Sequence, residues 1–313
     1  MFADKKATRE AYGEALAALA EKYDFFVLDA DLAAATKTGT FKKKCPDRFM
    51  DCGIAEGNMM CVAAGIASTG TPVFASTFAM FAAGRAFDPV RNSIGYPHLN
   101  VKIGATHAGM SVGEDGATHQ CNEDIALMRT IPGMTVICPA DERETHAAVE
   151  AALNIDGPVY LRFGRAAVPA LYDDNYKFEV GKGIVLADGK DVTIVATGLM
   201  VSLAMQAREK LAAEGIDAAV INIHTIKPLD TELLVEYAKK TGAVVTAEEH
   251  SVIGGLGAAV AECLSEECPT LVKKVGVMDT FGKSGPAAKV LEKFGLTAEN
   301  IYETAKKAVA EKK

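Results

Sequence analysis

The run Asp51-Cys52-Gly53-Ile54-Ala55-Glu56-Gly57-Asn58-Met59-Met60 sets one glutamate among mostly small and apolar residues. Gly53 and Gly57 bracket it, and Cys61-Val62-Ala63-Ala64-Gly65-Ile66-Ala67 continues as a tightly packed, buried helix. An acid at the mouth of such a helix is expected to be desolvated, a condition that raises proton affinity. The plainer alternative is a first-turn carboxylate satisfied by backbone N–H groups and the helix dipole. What surrounds the run decides between them.

Upstream, residues 8–23 read as a helix, with Tyr12, Leu16, Leu19 and Tyr23 on one face. Phe25-Phe26-Val27-Leu28 is a continuous apolar run, as in a strand buried on both faces. It ends in Asp29-Ala30-Asp31, polar groups at the carboxyl end of a strand, where ligands sit in open α/β sheets. Residues 36–48 are basic and irregular and read as a surface loop. Downstream the alternation repeats: strand 72–75, helix 78–92, strand 100–104, a polar loop 106–120, helix 124–130, strand 134–137, helix 141–153 and strand 158–161. Strands alternating with helices predict an α/β fold around a mostly parallel sheet covered on both faces.

Periodicity lapses after Arg165, where Pro169, Asp173, Asp174, Gly181 and Gly183 gather. The expected division is therefore a first domain over 1–166, a linker over 167–190 and a smaller α/β domain over 191–313. The second unit reads as strands 192–196, 218–223, 243–247 and 271–277 with helices 202–214, 231–240, 257–264 and 298–310. It offers few candidate catalytic groups beyond Glu248-Glu249-His250. A length of 313 residues suits two domains better than one core. A net charge of −8 without an extended basic tract argues against nucleic acid or an anionic membrane as partner. The opening residues carry no apolar signal region, and no uncharged stretch is long enough to span a bilayer. Seven scattered cysteines form neither a zinc pattern nor a disulfide framework, so reduced thiols and a cytoplasmic location are expected.

Polar chemistry concentrates in the first domain. Besides Asp31 and Glu56, Ser76-Thr77-Phe78-Ala79-Met80-Phe81 places Phe78 and Phe81 three apart, as neighbours on one helical face. Core packing is the ordinary explanation of such a pair. The loop from Thr106 to Gln120 holds His107 and His119, the acids Glu114 and Asp115, and three glycines. Glycines allow backbone to approach a ligand, and histidines exchange protons near neutral pH. His107, Asp115 and His119 are conceivable metal ligands, but no thiolate or further histidine lies at supporting spacing.

Together these segments resemble transketolase. Ala30-Asp31-Leu32, the Glu56 run, Ser76-Thr77-Phe78-x-x-Phe81, Thr106-His107 and Gly113-Glu114-Asp115-Gly116-Ala117-Thr118-His119-Gln120 follow that family's order. So do Tyr160-Leu161-Arg162-Phe163-Gly164-Arg165 and Ala247-Glu248-Glu249-His250…Gly254-Gly255-Leu256-Gly257, so the likeness covers essentially the whole chain. It matches only the family's pyrimidine-binding and C-terminal domains. The family's diphosphate-binding domain carries a Gly-Asp-Gly, and none occurs here. The resemblance is to the C-terminal subunit of a split, two-chain transketolase. The nearest rivals are the β subunit of a 2-oxo acid dehydrogenase, which shares the layout and a similar glutamate, and deoxyxylulose phosphate synthase. The histidine pair around Gly-Glu-Asp-Gly favours sugar chemistry, and a non-catalytic binding paralogue has no need of all these groups.

The resemblance implies thiamine diphosphate as cofactor, with Mg2+ or another divalent cation held mainly by a partner subunit. Glu56 would hydrogen-bond the aminopyrimidine ring nitrogen and promote removal of the thiazolium proton. Phe78 and Phe81 would wall the pyrimidine, and Asp31 would lie near the cofactor at the subunit boundary. His107, Asp115 and His119 would orient donor hydroxyls and relay protons, while Arg9, Arg165 and His107 would hold the sugar phosphate. Two positions depart from the family pattern. Ala35 replaces a serine that often touches phosphate, shifting that task to the arginines or Thr36, and Gly84 replaces an aromatic often found near the pyrimidine. The implied reaction moves a two-carbon ketol unit from a ketose phosphate to an aldose phosphate, as in pentose phosphate metabolism. The implied assembly is a homodimer of this chain within a heterotetramer.

Overall fold

The computed structural model describes residues 5–173 and 175–312. Its larger sheet has seven strands in the order Thr225–Lys227, Thr135–Ile137, Val159–Arg162, Val101–Thr106, Val73–Phe78, Phe26–Asp29 and Phe49–Asp51. All neighbours pair in parallel except the first two, which are antiparallel. Every residue of Val73–Phe78 and Val101–Thr106 is buried, as in strands covered on both faces, even Lys102, whose ammonium donates to the Ile155 and Gly157 carbonyls. Among the helices that cover them are Thr8–Leu19, Glu56–Ala67 and Glu142–Leu153. The helix Glu142–Leu153 is started by Asp141, whose carboxylate accepts the N–H of Glu144.

The second sheet has five strands in the order Leu271–Val277, Ala243–Ser251, Val192–Ala196, Ala218–Asn222 and Ile184–Ala187, with only the last antiparallel. The two units interlock. Thr225–Lys227, from the second half of the chain, closes one edge of the first sheet. Buried Arg162 donates to Asp124 Oδ2 and to the Glu249 carbonyl, each at 2.9 Å. The arginine–aspartate pair is taken wholly out of water, so loss of either partner would strand a buried charge beside the Glu249 carbonyl. Among the described residues no helix is long and apolar enough to cross a membrane, and all seven cysteines are unpaired.

Three expectations need correction. Residues 36–48 are not a surface loop: Gly39–Lys44 is helical and Phe41 is fully buried against Phe25, ring centroids 5.3 Å apart. The lysines that made the stretch look solvated occupy the last helical turn, where cations suit the helix dipole. The segment 78–92 is not one helix. Phe78 ends a strand, Phe81–Arg85 and Val90–Gly95 are π-helical, and Phe87–Pro89 lies between them. Pro89 has no N–H to donate, and such wide turns are frequent at functional sites. Within 167–190, two short strands form. Ala167–Pro169 pairs with Lys5–Ala7, and Ile184–Ala187 edges the second sheet. Between them Tyr176 donates to Glu144 Oε1 at 2.5 Å, and Asn222 donates to the Tyr172 hydroxyl at 2.7 Å.

Candidate active site

Strand ends of the first sheet bring the distant motifs together. After the strand Phe49–Asp51 the chain turns at Gly53, whose φ of 68° suits a residue without a Cβ, and Glu56 opens its helix. Glu56 is 1% exposed. Its Oε2 accepts from Arg85 Nη1 at 2.8 Å, and among the described residues no helix N–H donates to it. The helix-cap alternative therefore fails, and a cation absent from the sequence reading compensates the buried charge. Arg85 stands four residues after Phe81, the spacing of neighbours on a helix, so a signal for it was present. Its guanidinium also lies 4.9 Å from the centroid of the Phe81 ring.

From Phe81 a continuous aromatic group extends inward. Phe78 and Phe81 are stacked at 5.8 Å with 14° between ring planes, one from a strand end and the other from a π-helical turn rather than from one helical face. His107 stacks on Phe78 at 3.8 Å, and His119 meets both phenylalanines edge-on at 6.2 and 5.5 Å. Burial, then the charges of Arg9, Arg165, His119 and Lys37, push the His107 imidazole down to about 3. It is neutral at ordinary pH, so it acts as a fixed hydrogen-bonding group and does not ionise near neutrality, contrary to the sequence expectation for it. Arg9 Nη1 stands 3.4 Å from its Nε2, which makes Nε2 the acceptor and leaves Nδ1–H to face the Thr106 hydroxyl at 3.0 Å. His119 is half-buried, with Nδ1 3.0 Å from the Thr118 hydroxyl.

Around His107 the expected phosphate groups converge unevenly. Arg9 donates to the Ala35 carbonyl at 2.8 Å, while its Nε is buried with no partner among the described residues. Arg165 donates to the Val112 carbonyl at 2.6 Å and to Glu114 at 2.7 Å. Thr36 is unavailable to a ligand: it is fully buried and donates to Asp29 Oδ2 at 2.7 Å. Asp29 also accepts from Thr38 at 2.8 Å and from the Leu32 N–H at 2.6 Å, and burial pushes its carboxyl up to about 6. Of the two neighbouring aspartates, then, Asp29 organises the loop while Asp31 is exposed, its N–H held by Asp51 Oδ1 at 3.0 Å. Asp115 is exposed and hydrogen-bonds to neither histidine among the described residues.

The glycines of the 106–120 loop serve packing between domains. A Cβ on Gly109 would stand 2.6 Å from the Glu249 carboxylate, and one on Gly116 would stand 2.2 Å from Ser284 Oγ. Glu249 in turn accepts the Ser111 N–H. Glu248 accepts the N–H groups of Leu256 and Gly257 at 2.7 and 2.8 Å, so it caps the helix Leu256–Glu267.

Glu56 and Phe81 already hold a planar nitrogen group, the Arg85 guanidinium, by its N–H edge and its π face. An aminopyrimidine presents the same two features, so the residues fit that ring. A buried carboxylate, stacked phenylalanines and two histidines on the same rings are the groups expected of the pyrimidine-binding half of a thiamine-diphosphate-dependent enzyme. The family model for the transketolase pyrimidine-binding domain matches residues 4–170, and that for the transketolase C-terminal domain matches residues 181–301. A protein described as a transketolase C-terminal section from Methanocaldococcus jannaschii is 48% identical over 95% of this chain and 94% of its own length. A 6-deoxy-6-sulfo-D-fructose transketolase subunit from a Clostridium species is 47% identical over 95% of this chain and 92% of its own. A split-gene transketolase solved as an inactive β4 tetramer superposes with a TM-score of 0.92 at 57% identity, covering 98% of this chain and 99% of that one. The chain belongs to the transketolase family, in the form of a split-gene subunit that carries the pyrimidine-binding and C-terminal domains.

Proposed function

We propose that this chain and a partner subunit carrying the diphosphate-binding domain form a cytoplasmic transketolase that moves a two-carbon ketol unit from a ketose phosphate to an aldose phosphate, the chemistry of pentose phosphate metabolism. The observation that carries this reading is buried Glu56 beside the stacked Phe78–Phe81 pair, with His107 and His119 packed on the same rings. When bound, thiamine diphosphate supplies a nucleophilic carbon and an electron sink for breaking the bond next to a ketone. Glu56 shares a proton with the ring nitrogen of the aminopyrimidine, a task that needs a carboxyl group shielded from water. Phe81 and Phe78 offer their faces to the ring, worth about 1 kcal/mol beyond burial. Neutral His107 orients a sugar hydroxyl, and half-buried His119 relays the proton released as the carbon–carbon bond breaks. Arg9 and Arg165 hold the phosphate, and Asp31 and Asp115, both exposed, are assigned to the seam with the partner and the substrate entrance.

The divalent cation belongs mainly to the partner, because magnesium sites use few carboxylates plus phosphate and this sequence has no Gly-Asp-Gly. Relatives support the two-chain form: the split-gene transketolase is described as an inactive tetramer of its β chain alone. A symmetric homodimer of this chain inside a heterotetramer is the proposed assembly. The test is a reconstituted complex offered a ketose phosphate with an aldose phosphate, and separately pyruvate. Ketol transfer supports the proposal. Pyruvate decarboxylation without ketol transfer overturns it in favour of a 2-oxo acid dehydrogenase β subunit.

A further inference from the structure

We propose that Lys37 is a third cation of the sugar-phosphate site, a specificity residue that works with Arg9 and Arg165 to select substrates ending in a doubly charged phosphate. The inference rests on the phosphate reading above and adds to it a residue that no motif marked.

Lys37 follows the helical turn Ala33–Thr36, two residues beyond the carbonyl that fixes Arg9. Its backbone is left-handed, with φ of 70° and ψ of 6°. That conformation is strained for a side chain with a Cβ and persists only where its surroundings enforce it. Two features enforce it here. The hydroxyls of Thr36 and Thr38, on either side, are both tied to Asp29. Gly13 of the helix Thr8–Leu19 is pressed against Lys37 so closely that a Cβ at 13 would lie 2.3 Å from the Lys37 carbonyl oxygen. The lysine stem is thus rooted beside the helix that carries Arg9.

The ammonium is left largely uncommitted. Its ion pair with Glu10 is long, 3.8 Å, with both side chains partly exposed, and among the described residues it makes no hydrogen bond. Its charge nevertheless reaches His107, as do those of Arg9 and Arg165. Three cations thus lie near enough to His107 to act on its charge, and beside it the buried Nε of Arg9 has no acceptor among the described residues. A phosphate monoester, with a second ionisation near pH 6 and three acceptor oxygens, is the group whose charge and acceptors match that surplus.

The experiment uses the reconstituted two-chain complex with Lys37→Met, Lys37→Arg and Arg9→Ala, each assayed with a ketopentose 5-phosphate and with the same ketopentose lacking phosphate. Lys37→Met should raise KM for the phosphorylated donor about tenfold, the effect of one lost charge-assisted contact. Its kcat, and both constants for the unphosphorylated donor, should stay within about twofold of the parent, and Lys37→Arg should recover most of the loss. A Lys37→Met effect equal on both donors makes the residue structural and overturns the inference. Loss of phosphate discrimination in Arg9→Ala but not in Lys37→Met also overturns it while leaving the phosphate reading intact. If neither variant alters the preference for the phosphorylated donor, the phosphate reading itself falls.

Discussion

Arg85 and Glu56 form a pair whose coupling is open to direct measurement. The two side chains meet at 2.8 Å, with Glu56 1% exposed and Arg85 56% exposed. Were both buried, removing one partner would cost about 3–5 kcal/mol, because a charge would be stranded in low dielectric. The Arg85 side chain is more than half exposed, so screening brings the coupling down to about 1 kcal/mol. Arg85→Met should destabilise the chain more than Glu56→Gln, since it leaves the buried carboxylate without its cation, whereas Glu56→Gln leaves a cation that water can solvate. The double variant should lose about 1 kcal/mol less than the sum of the single losses. Equilibrium urea unfolding of the four chains at neutral pH measures all three differences. Strict additivity, within about 0.3 kcal/mol, would show that the contact carries no energy and that Glu56 is held by burial alone.

Three further outcomes follow from the site and its buried groups. In the reconstituted complex, Glu56→Gln should bind thiamine diphosphate yet exchange the thiazolium proton far more slowly, and unchanged exchange would remove Glu56 from the chemistry. His119→Ala should slow donor cleavage by roughly two to four orders of magnitude in single-turnover kinetics, the range for lost proton transfer, and a change under about threefold would reduce His119 to a spacer. His224 is fully buried on Phe178, and burial pushes its imidazole down from 6.5 to about 4. The unfolded chain then binds a proton that the folded chain refuses, so stability is lost as pH falls from about 6.5 towards 4. That loss is about 2 kcal/mol between pH 7 and 5. His224→Phe should be correspondingly less acid-sensitive in urea titrations at the two pH values, and identical pH dependence would contradict the assignment.

The fold was legible where burial dictates composition. Val192–Ala196 is buried throughout and coincides with its apolar run, and the parallel sheet follows from the alternation of such runs with amphipathic helices. The alternation failed where pieces were short or covered by charge. Lys5–Ala7, Phe49–Asp51, Ala167–Pro169 and Thr225–Lys227 are three residues each, too brief for a period of two to register. Gly39–Lys44 hid its buried Phe41 behind three lysines. At the site, residue types led to Glu56, Phe78, Phe81, His107 and His119, which the fold brings into contact through rings or shared neighbours. Arg85 was passed over despite its helical spacing from Phe81, because its partner Glu56 is 29 residues away, and the anchoring role of Asp29 shows only in its buried threonine partners. The glycine-rich loop misled for a related reason. Close approach was read correctly from its composition, but all three glycines approach the second domain of the same chain.

The central claim is that this chain holds one half of an active site. The most direct measurement titrates the purified chain with thiamine diphosphate and magnesium, then adds the diphosphate-binding subunit, following ketol transfer between sugar phosphates throughout. The account predicts no turnover from the chain alone and turnover that appears in proportion to added partner, saturating at one partner per chain. Turnover by the isolated chain, or none at any partner concentration, would contradict it.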